Sequence, residues 1–374
     1  MTEPAEDSGE DESAQPIRPP HTSAVRPWVL VEALGSKGEE RRVVAEGLHP
    51  RRYTRLTRTR IAGSRAIAQH LPAVVDAAVD SGEPQVKVAY PPSGAHFRIA
   101  AVPVTGPDGS VLAVQVWAGP RAQAAPERPA VGTMVWHAPG TGITLTCPVA
   151  EYLLDTGISV SAERALPDLI RHLEGLDNRA DLLRLFDSGS PPVQYAGFAV
   201  TTGESSQTRR TLYITARSRG SGSQRRAAAL ITDVSLTRPV PAPGFTTRLI
   251  DAMPTPADHA IGVMDLRTGL VHDWVRRGRE PLDRWMNEIP LVHPHDLREL
   301  STARARLLSG AASARSSWRL RFDEQSPWTR IHAQWRVLTC DPAPQALVEI
   351  HVLDAKPDGL SSRQMNDHRR TTSR

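Results

Sequence analysis

Apolar and polar positions along this chain alternate and regroup in one order three times. In the first stretch, "WVLVEAL" (28–34) and "VVAEG" (43–47) are short runs rich in β-branched and aromatic residues, and they predict two strands. From about Ile61 to Val79 the period lengthens. Ile67, Leu71, Val74, Val75 and Ala78 recur at three- and four-residue steps, which predicts a helix with one buried face. Alternation returns at Val86 and Val88, runs through "FRIAAVPV" (97–104), and after the turn "GPDG" (106–109) ends in "VLAVQVW" (111–117).

The second stretch repeats the order. "GTMVWH" (132–137) and "ITLTC" (143–147) read as strands, and a helical region follows at roughly 163–187, with apolar positions Leu166, Leu169, Ile170, Leu173, Leu182, Leu183, Leu185 and Phe186. Three strands close it: "VQYAGFAV" (193–200), "TLYITARS" (211–218) and "AAALITDVS" (227–235). The third stretch runs "AIGVMDL" (260–266), "LVHDWV" (270–275), a helix from about Asp296 to Leu308, then "SSWRLRF" (316–322), "WTRIHAQWRV" (328–337) and "ALVEIHVL" (346–353).

A phrase marks each helix-to-sheet junction: "DSGEPQVKVAY" (80–90), "DSGSPPVQY" (187–195) and, more loosely, "LSGAASARSSWRLRF" (308–322). Its glycine is expected to supply the left-handed residue that commonly ends a helix. Gly82, Gly189 and Gly310 are 107 and 121 residues apart, a domain-sized period too long for a solenoid. The pattern therefore predicts an α+β chain of three tandem units, each a five-stranded antiparallel sheet with helices in ββ-α-βββ order. The expected boundaries are an acidic disordered tail (1–25), a first unit (26–120), a linker (121–130), a middle unit (131–237), a second linker (238–250), a third unit (251–355) and a disordered tail (356–374).

This order resembles the PAS fold and its relative the GAF fold, both of them small-molecule or signal-sensing modules. The third stretch carries the clearest match, in His293, Pro294 and Asp296 at a helix start, Gly310 at its end, and Trp318 and Arg319 in the first of two long hairpin strands. Asp296 also suits a helix N-cap. The middle stretch has "HLEGLDNRADLLRLF" (172–186) in place of the His-Pro-x-Asp, and the first is shorter in the middle, GAF-like or PAS-like. Taken whole, residues 27–354 resemble an actinobacterial family of tandem PAS/GAF-type sensor proteins without a recognisable output domain. That resemblance implies a sensory or regulatory role, with no particular chemistry attached.

Composition changes the picture only in places. Residues 1–16 hold six acids and no Lys or Arg, which leaves 35 acidic against 45 basic residues in the remainder. A basic body attracts nucleic acid, acidic partners or anionic lipid. Yet only Lys37, Lys87 and Lys356 are lysines, an arginine bias expected of a GC-rich genome. No apolar run approaches the length of a membrane span, and the acidic N-terminus lacks the features of an export signal, so the cytoplasm is the expected compartment.

Candidate chemistry is sparse. Cys147 and Cys340 lie far apart and are read as buried reduced thiols; neither sits in the Asn-Cys-Arg context of flavin-binding PAS domains. His70 and His172 fall on helical regions where a haem ligand would stand, but a lone helical histidine is more often hydrogen-bonded than ligating, which argues against haem. The cofactor stays unknown. His293, His295 and Asp296 read as a helix start, and His259, His272, Asp258 and Asp273 are scattered, so no metal site is expected. No nucleophile elbow, phosphate loop or zinc-protease motif is present, and the chain is read as non-enzymatic.

Two groups remain as candidate sites. Arg51, Arg52, Arg55, Arg58 and Arg60 form a basic run without an acid, either an anion or partner patch or a solvated face. Trp274, Trp285 and Trp335, in an aromatic-rich third unit, either fill its core or line an apolar pocket or partner surface. The reading is a cytoplasmic regulatory protein that binds an apolar small molecule or a protein partner and signals through that partner or through rearranged domains. The alternatives are an interaction scaffold with filled cores and a basic nucleic-acid-binding regulator.

Overall fold

The computed structural model describes residues 26–35, 40–59, 61, 65–90, 96–137, 143–156, 163–202, 209–242, 259–340 and 343–353. The tails expected at 1–25 and 356–374, and most of the second linker, lie outside these residues. Among the described residues the chain forms three antiparallel sheets of six, seven and six strands with few helices, in broad agreement with an α+β class.

The first sheet comprises β1 (Val29–Glu32), β2 (Arg42–Glu46), β3 (His49–Arg55), β4 (Gln85–Ala89), β5 (Phe97–Thr105) and β6 (Val111–Pro120), in the order β3-β2-β1-β6-β5-β4. Helices α1 (Arg65–Ala68) and α2 (Leu71–Ser81) connect β3 to β4. The five periodic residues of the expected helix, from Ile67 to Ala78, are all buried. Gly82 ends α2 with φ 68°, its N–H donating to the Ala78 carbonyl at 3.0 Å.

The middle sheet comprises β7 (Val131–Trp136), β8 (Ile143–Thr146), β9 (Glu163–Ala165), β10 (Leu173–Leu176), β11 (Gln194–Thr201), β12 (Thr211–Arg219) and β13 (Arg226–Asp233), in the order β10-β11-β12-β13-β7-β8-β9. Between its strands lie α3 (Pro148–Leu154), α4 (Leu166–Ile170) and α5 (Arg179–Leu183). The third sheet comprises β14 (His259–Asp265), β15 (Val271–Arg276), β16 (Leu291–Val292), β17 (Ser313–Arg321), β18 (Thr329–Thr339) and β19 (Gln345–Val352), in the order β15-β14-β19-β18-β17-β16, with α6 (Leu297–Leu308) before β17.

The five strands expected per sheet thus become six, seven and six. The added strands β3, β9, β10 and β16 all stand at or beside sheet edges. Edge strands tolerate Pro, Arg and short length because one side of their backbone needs no partner, so they lack the apolar alternation that marks a central strand. The helical region expected at 163–187 is the largest departure. Its eight apolar positions are buried, but they sit on two five-residue helices and a strand as well as the turns between them. In that stretch the recurring phrase is not a helix cap: Gly189 is outside the left-handed region, and its N–H donates to Asp187 Oδ1 at 3.0 Å.

The first and middle sheets pack against each other. Val29, Val31, Val43, Val114 and Val116 face the helices, while Leu30, Val44 and Leu112 on the opposite face meet Val131, Val135 and Leu230 of the middle sheet. Strand β1 is consequently buried along its whole length. Each such Leu or Val contributes about 1.5–3 kcal/mol of burial. The linker at 121–130 is docked on the first sheet, where Trp28 Nε1 donates to the Pro126 carbonyl at 2.8 Å and Gln115 Nε2 to that of Pro129 at 2.7 Å.

Candidate functional site

The aromatic residues of the third sheet converge on its inner face. Trp274 on β15, Trp285 in a short 3-10 turn (Leu282–Met286) and Trp318 on β17 form a continuous series, with ring centroids 5.3 Å apart at 60° and then 5.8 Å apart at 87°. The second of these contacts is edge-to-face, a geometry that adds about 0.5–1.5 kcal/mol to burial. Gly262 on β14 makes the space for Trp274, because a Cβ there would meet Trp274 Cε3 at 3.0 Å. Trp335 on β18 is fully buried within the same core.

Beside this series lies a mainly apolar cavity of about 110 Å³. Trp285 and Trp318 form one wall, Ile289, Pro290 and Val292 another, and Leu166 and Pro167 of α4 reach in from the middle segment. Of the three expected tryptophans, Trp285 therefore lines the cavity, Trp274 packs behind it and Trp335 belongs to the core. Sequence reasoning did not find this wall: Leu166 and Pro167 are more than 90 residues from the rest of it, Leu166 reads as one apolar position of the expected helix, and Pro167 carries no signal of its own.

Helix α4 is fixed by charge. Asp168, almost fully buried, accepts from Arg164 Nη1 at 2.7 Å and lies 2.7 Å from Arg171 Nη2. Around the cavity the two segments interlock: Leu270, which lines it, packs against the middle core. Arg179 of α5 donates to Asp273 Oδ2 at 2.5 Å, and Arg267 lies 3.8 Å from Asp187. Next to that pair His272 is fully buried. Burial, with the Arg179 guanidinium nearby, holds its imidazole down at about 4, against the opposing pull of Asp273. The Gln345 side chain approaches the ring, but neither nitrogen closes a hydrogen bond.

The basic run is divided by the fold. Arg51 pairs with Glu46 at 2.8 Å and Arg55 lies 3.5 Å from Glu40, while Arg52 and Arg58 are exposed; Arg60 falls outside the described residues. Its strand, β3, is a docking edge for the middle sheet. The Tyr53 hydroxyl lies 3.0 Å from the carbonyls of both Tyr195 and Ala216, and the Tyr213 hydroxyl donates to the Arg51 carbonyl at 3.2 Å.

The other candidates are dispersed. Cys340 is exposed and Cys147 half-buried, in contrast to the two buried thiols expected; the Cys147 sulfur accepts the N–H groups of Thr133 and Ala150 at the start of α3, at 3.2 and 3.4 Å. His172 receives Arg171 Nε at 3.2 Å, and burial followed by that guanidinium lowers its pKa. His70 precedes α2 without a side-chain cap.

Asp296 does not cap α6. Its carboxylate is taken by Arg319, whose backbone N–H and Nε reach Oδ2 and whose Nη2 reaches Oδ1, each at 2.9 Å. This bidentate pairing holds the carboxyl at about 2. His293 stacks with His295, and the His259 ring lies tilted against His351 beside Glu349, while Asp258 lies outside the described residues. Among the described residues no group of three His, Cys, Asp or Glu is arranged to hold a metal ion, and no helix is long and apolar enough to cross a membrane.

Residues 27–127 match a family described as Rv3651-like, N-terminal. No curated protein matches the chain. Among solved structures, an RNA-binding light-oxygen-voltage receptor aligns over 60% of this chain and 95% of its own at 12% identity, with a TM-score of 0.21 that is too low for a shared fold. An uncharacterised protein from Mycobacterium tuberculosis aligns over 89% of this chain and 97% of its own, at 21% identity and a TM-score of 0.67. The chain is thus similar in fold, over 89% of its length, to a mycobacterial protein, and the strands β1 to β6 of its first sheet lie within the Rv3651-like N-terminal match.

Proposed function

We propose that this chain is a non-enzymatic sensory or regulatory protein built of three tandem PAS- or GAF-like units, and that its third unit takes a small apolar molecule between the indoles and α4. The strand orders support the first part: in each sheet the first strand of its segment lies between the second and the last, and the last lies beside the fourth of the expected five. The cavity walled by Trp285 and Trp318 carries the second part. At about 110 Å³ it is smaller than the ~150 Å³ apolar cavity that accepts benzene. It therefore suits a group near that size with slight adjustment of its walls, or the apolar end of a longer ligand.

The test is native mass spectrometry of the purified chain for retained small molecules, followed by thermal shifts across a library of small apolar and aromatic compounds. Retained ligand or a concentration-dependent rise in Tm supports the reading; neither would sink it. The second reading, an interaction scaffold, draws on the same volume, which falls short of the roughly 300 Å³ of typical ligand pockets, and on the complete burial of Trp335. It expects no ligand effect on Tm and a protein partner bound with the cavity empty.

A further inference from the structure

We infer that the cavity is a shared site, closed by α4 of the middle segment, and that a small apolar molecule within it fastens the middle and third sheets together. This rests on the apolar-ligand reading above. The geometry is reciprocal. Leu166 and Pro167 leave the middle segment to form a wall of the third segment's cavity, while Leu270 leaves the third segment to pack on the middle core. Separating the two segments would remove one wall and expose the indoles to water.

A ligand that contacts both sides binds the closed joint better than an open one, and only such differential affinity shifts a conformational equilibrium. Linkage then requires the converse: whatever loosens the joint must weaken the ligand by the same factor. The joint has a grip outside the cavity, the Arg179–Asp273 ion pair at 2.5 Å, and neither residue is part of the cavity wall. That separation makes the inference testable.

The experiment is calorimetric titration of benzene into the full chain and into Arg179→Ala and Asp273→Asn variants whose circular dichroism matches the parent. The expected result is measurable binding by the parent and a loss of about fivefold or more in affinity in both variants. Arg179→Lys, which keeps the charge as a single ammonium without the guanidinium fork, should recover part of the loss. Equal affinity in parent and variants would show a site belonging to the third segment alone and overturn the coupling while leaving the pocket intact. Absence of benzene binding by the parent would overturn the pocket reading and the coupling with it. Should both variants fail to fold, Leu166→Ala supplies the same decision, because an unchanged affinity after trimming that wall contradicts a shared site.

Discussion

Arg225 donates from Nε to the Leu185 carbonyl at 2.9 Å, with its guanidinium fully buried and its other hydrogen bonds made to neutral oxygens. Nη1 reaches the Ser190 carbonyl at 2.5 Å, and Nη2 reaches the Arg184 carbonyl at 3.0 Å and the Ser218 hydroxyl at 2.8 Å. Burial lowers its pKa, with Asp187 opposing. One planar fork thus gathers the end of α5 and the "DSGSPP" turn onto β12 and β13. Arg225→Met, which keeps much of the bulk but no donors, leaves these acceptors unpaired and should cost about 2–4 kcal/mol in chemical denaturation. Arg225→Lys should recover only part, since a point charge cannot span the fork. A cost below about 1 kcal/mol for the Met variant would contradict this role.

The buried His272 makes the joint between the middle and third sheets sensitive to acid. Its folded pKa of about 4 lies below the ordinary value of 6.5, so between those limits the unfolded chain binds the proton and the folded chain does not. Stability should therefore fall as pH drops from about 6.5 towards 4, by on the order of 3 kcal/mol, and be insensitive to this group above pH 7. The ring faces Arg179, which resists protonation, and Asp273, which favours it. His272→Gln should flatten the difference in Tm between pH 7 and pH 5. A variant with the parent's pH slope would show that other groups carry it.

Apolar periodicity made the order of the chain legible because burial is what the pattern records. Leu71, Val74, Val75 and Ala78 mark α2, and burial alternates along β11, β17 and β19, whereas β6 is buried almost throughout and is marked by its apolar run instead. The same signal failed at 163–187, where Leu166, Leu169 and Leu182 are buried but the backbone changes between strand and helix every few residues, too fast for a period to register. Strand β3 was hidden for a different reason: "HPRRYTR" is an edge strand whose side chains form ion pairs and reach across to another sheet. The cavity was half legible. Trp285 stood out by residue type, whereas Leu166 and Pro167 acquire their role only from the packing of one segment on another.

Tyr53 tests the joint between the first and middle sheets. Its hydroxyl sits between two carbonyls of neighbouring strands, β11 and β12, and burial, with Glu32 and Tyr213 adding to it, raises its pKa well above the usual phenol range. Tyr53→Phe keeps the ring and removes the donor, and should cost about 1 kcal/mol. It should also reduce alkaline lability. The folded pKa is raised, so the unfolded chain alone releases the proton near pH 10 and stability falls as pH rises through that range. Denaturant midpoints at pH 8 and pH 10.5 check both effects. A variant as stable as the parent at pH 8 would remove Tyr53 from the joint.

Two glycines separate the cost of space from the cost of backbone. At Gly262 an added Cβ would lie 2.8 Å from Val271 Cγ1, 3.0 Å from Trp274 Cε3 and 3.1 Å from the Asp273 carbonyl oxygen. The carbonyl cannot yield without disturbing the β14–β15 ladder, so Gly262→Ala should push Trp274 aside and cost about 1–3 kcal/mol. Because Trp274 packs on Trp285, the shift reaches the cavity wall and should move the tryptophan emission maximum. At Gly82 nothing lies within 4 Å of the added Cβ, but φ is 68°. Gly82→Ala should therefore cost about 1–2 kcal/mol through backbone strain alone and leave tryptophan emission unchanged. Comparable loss of Tm in the two variants, with a fluorescence change confined to Gly262→Ala, is the expected outcome. An emission maximum unmoved by Gly262→Ala would mean that the Trp274–Trp285 contact does not transmit packing to the cavity.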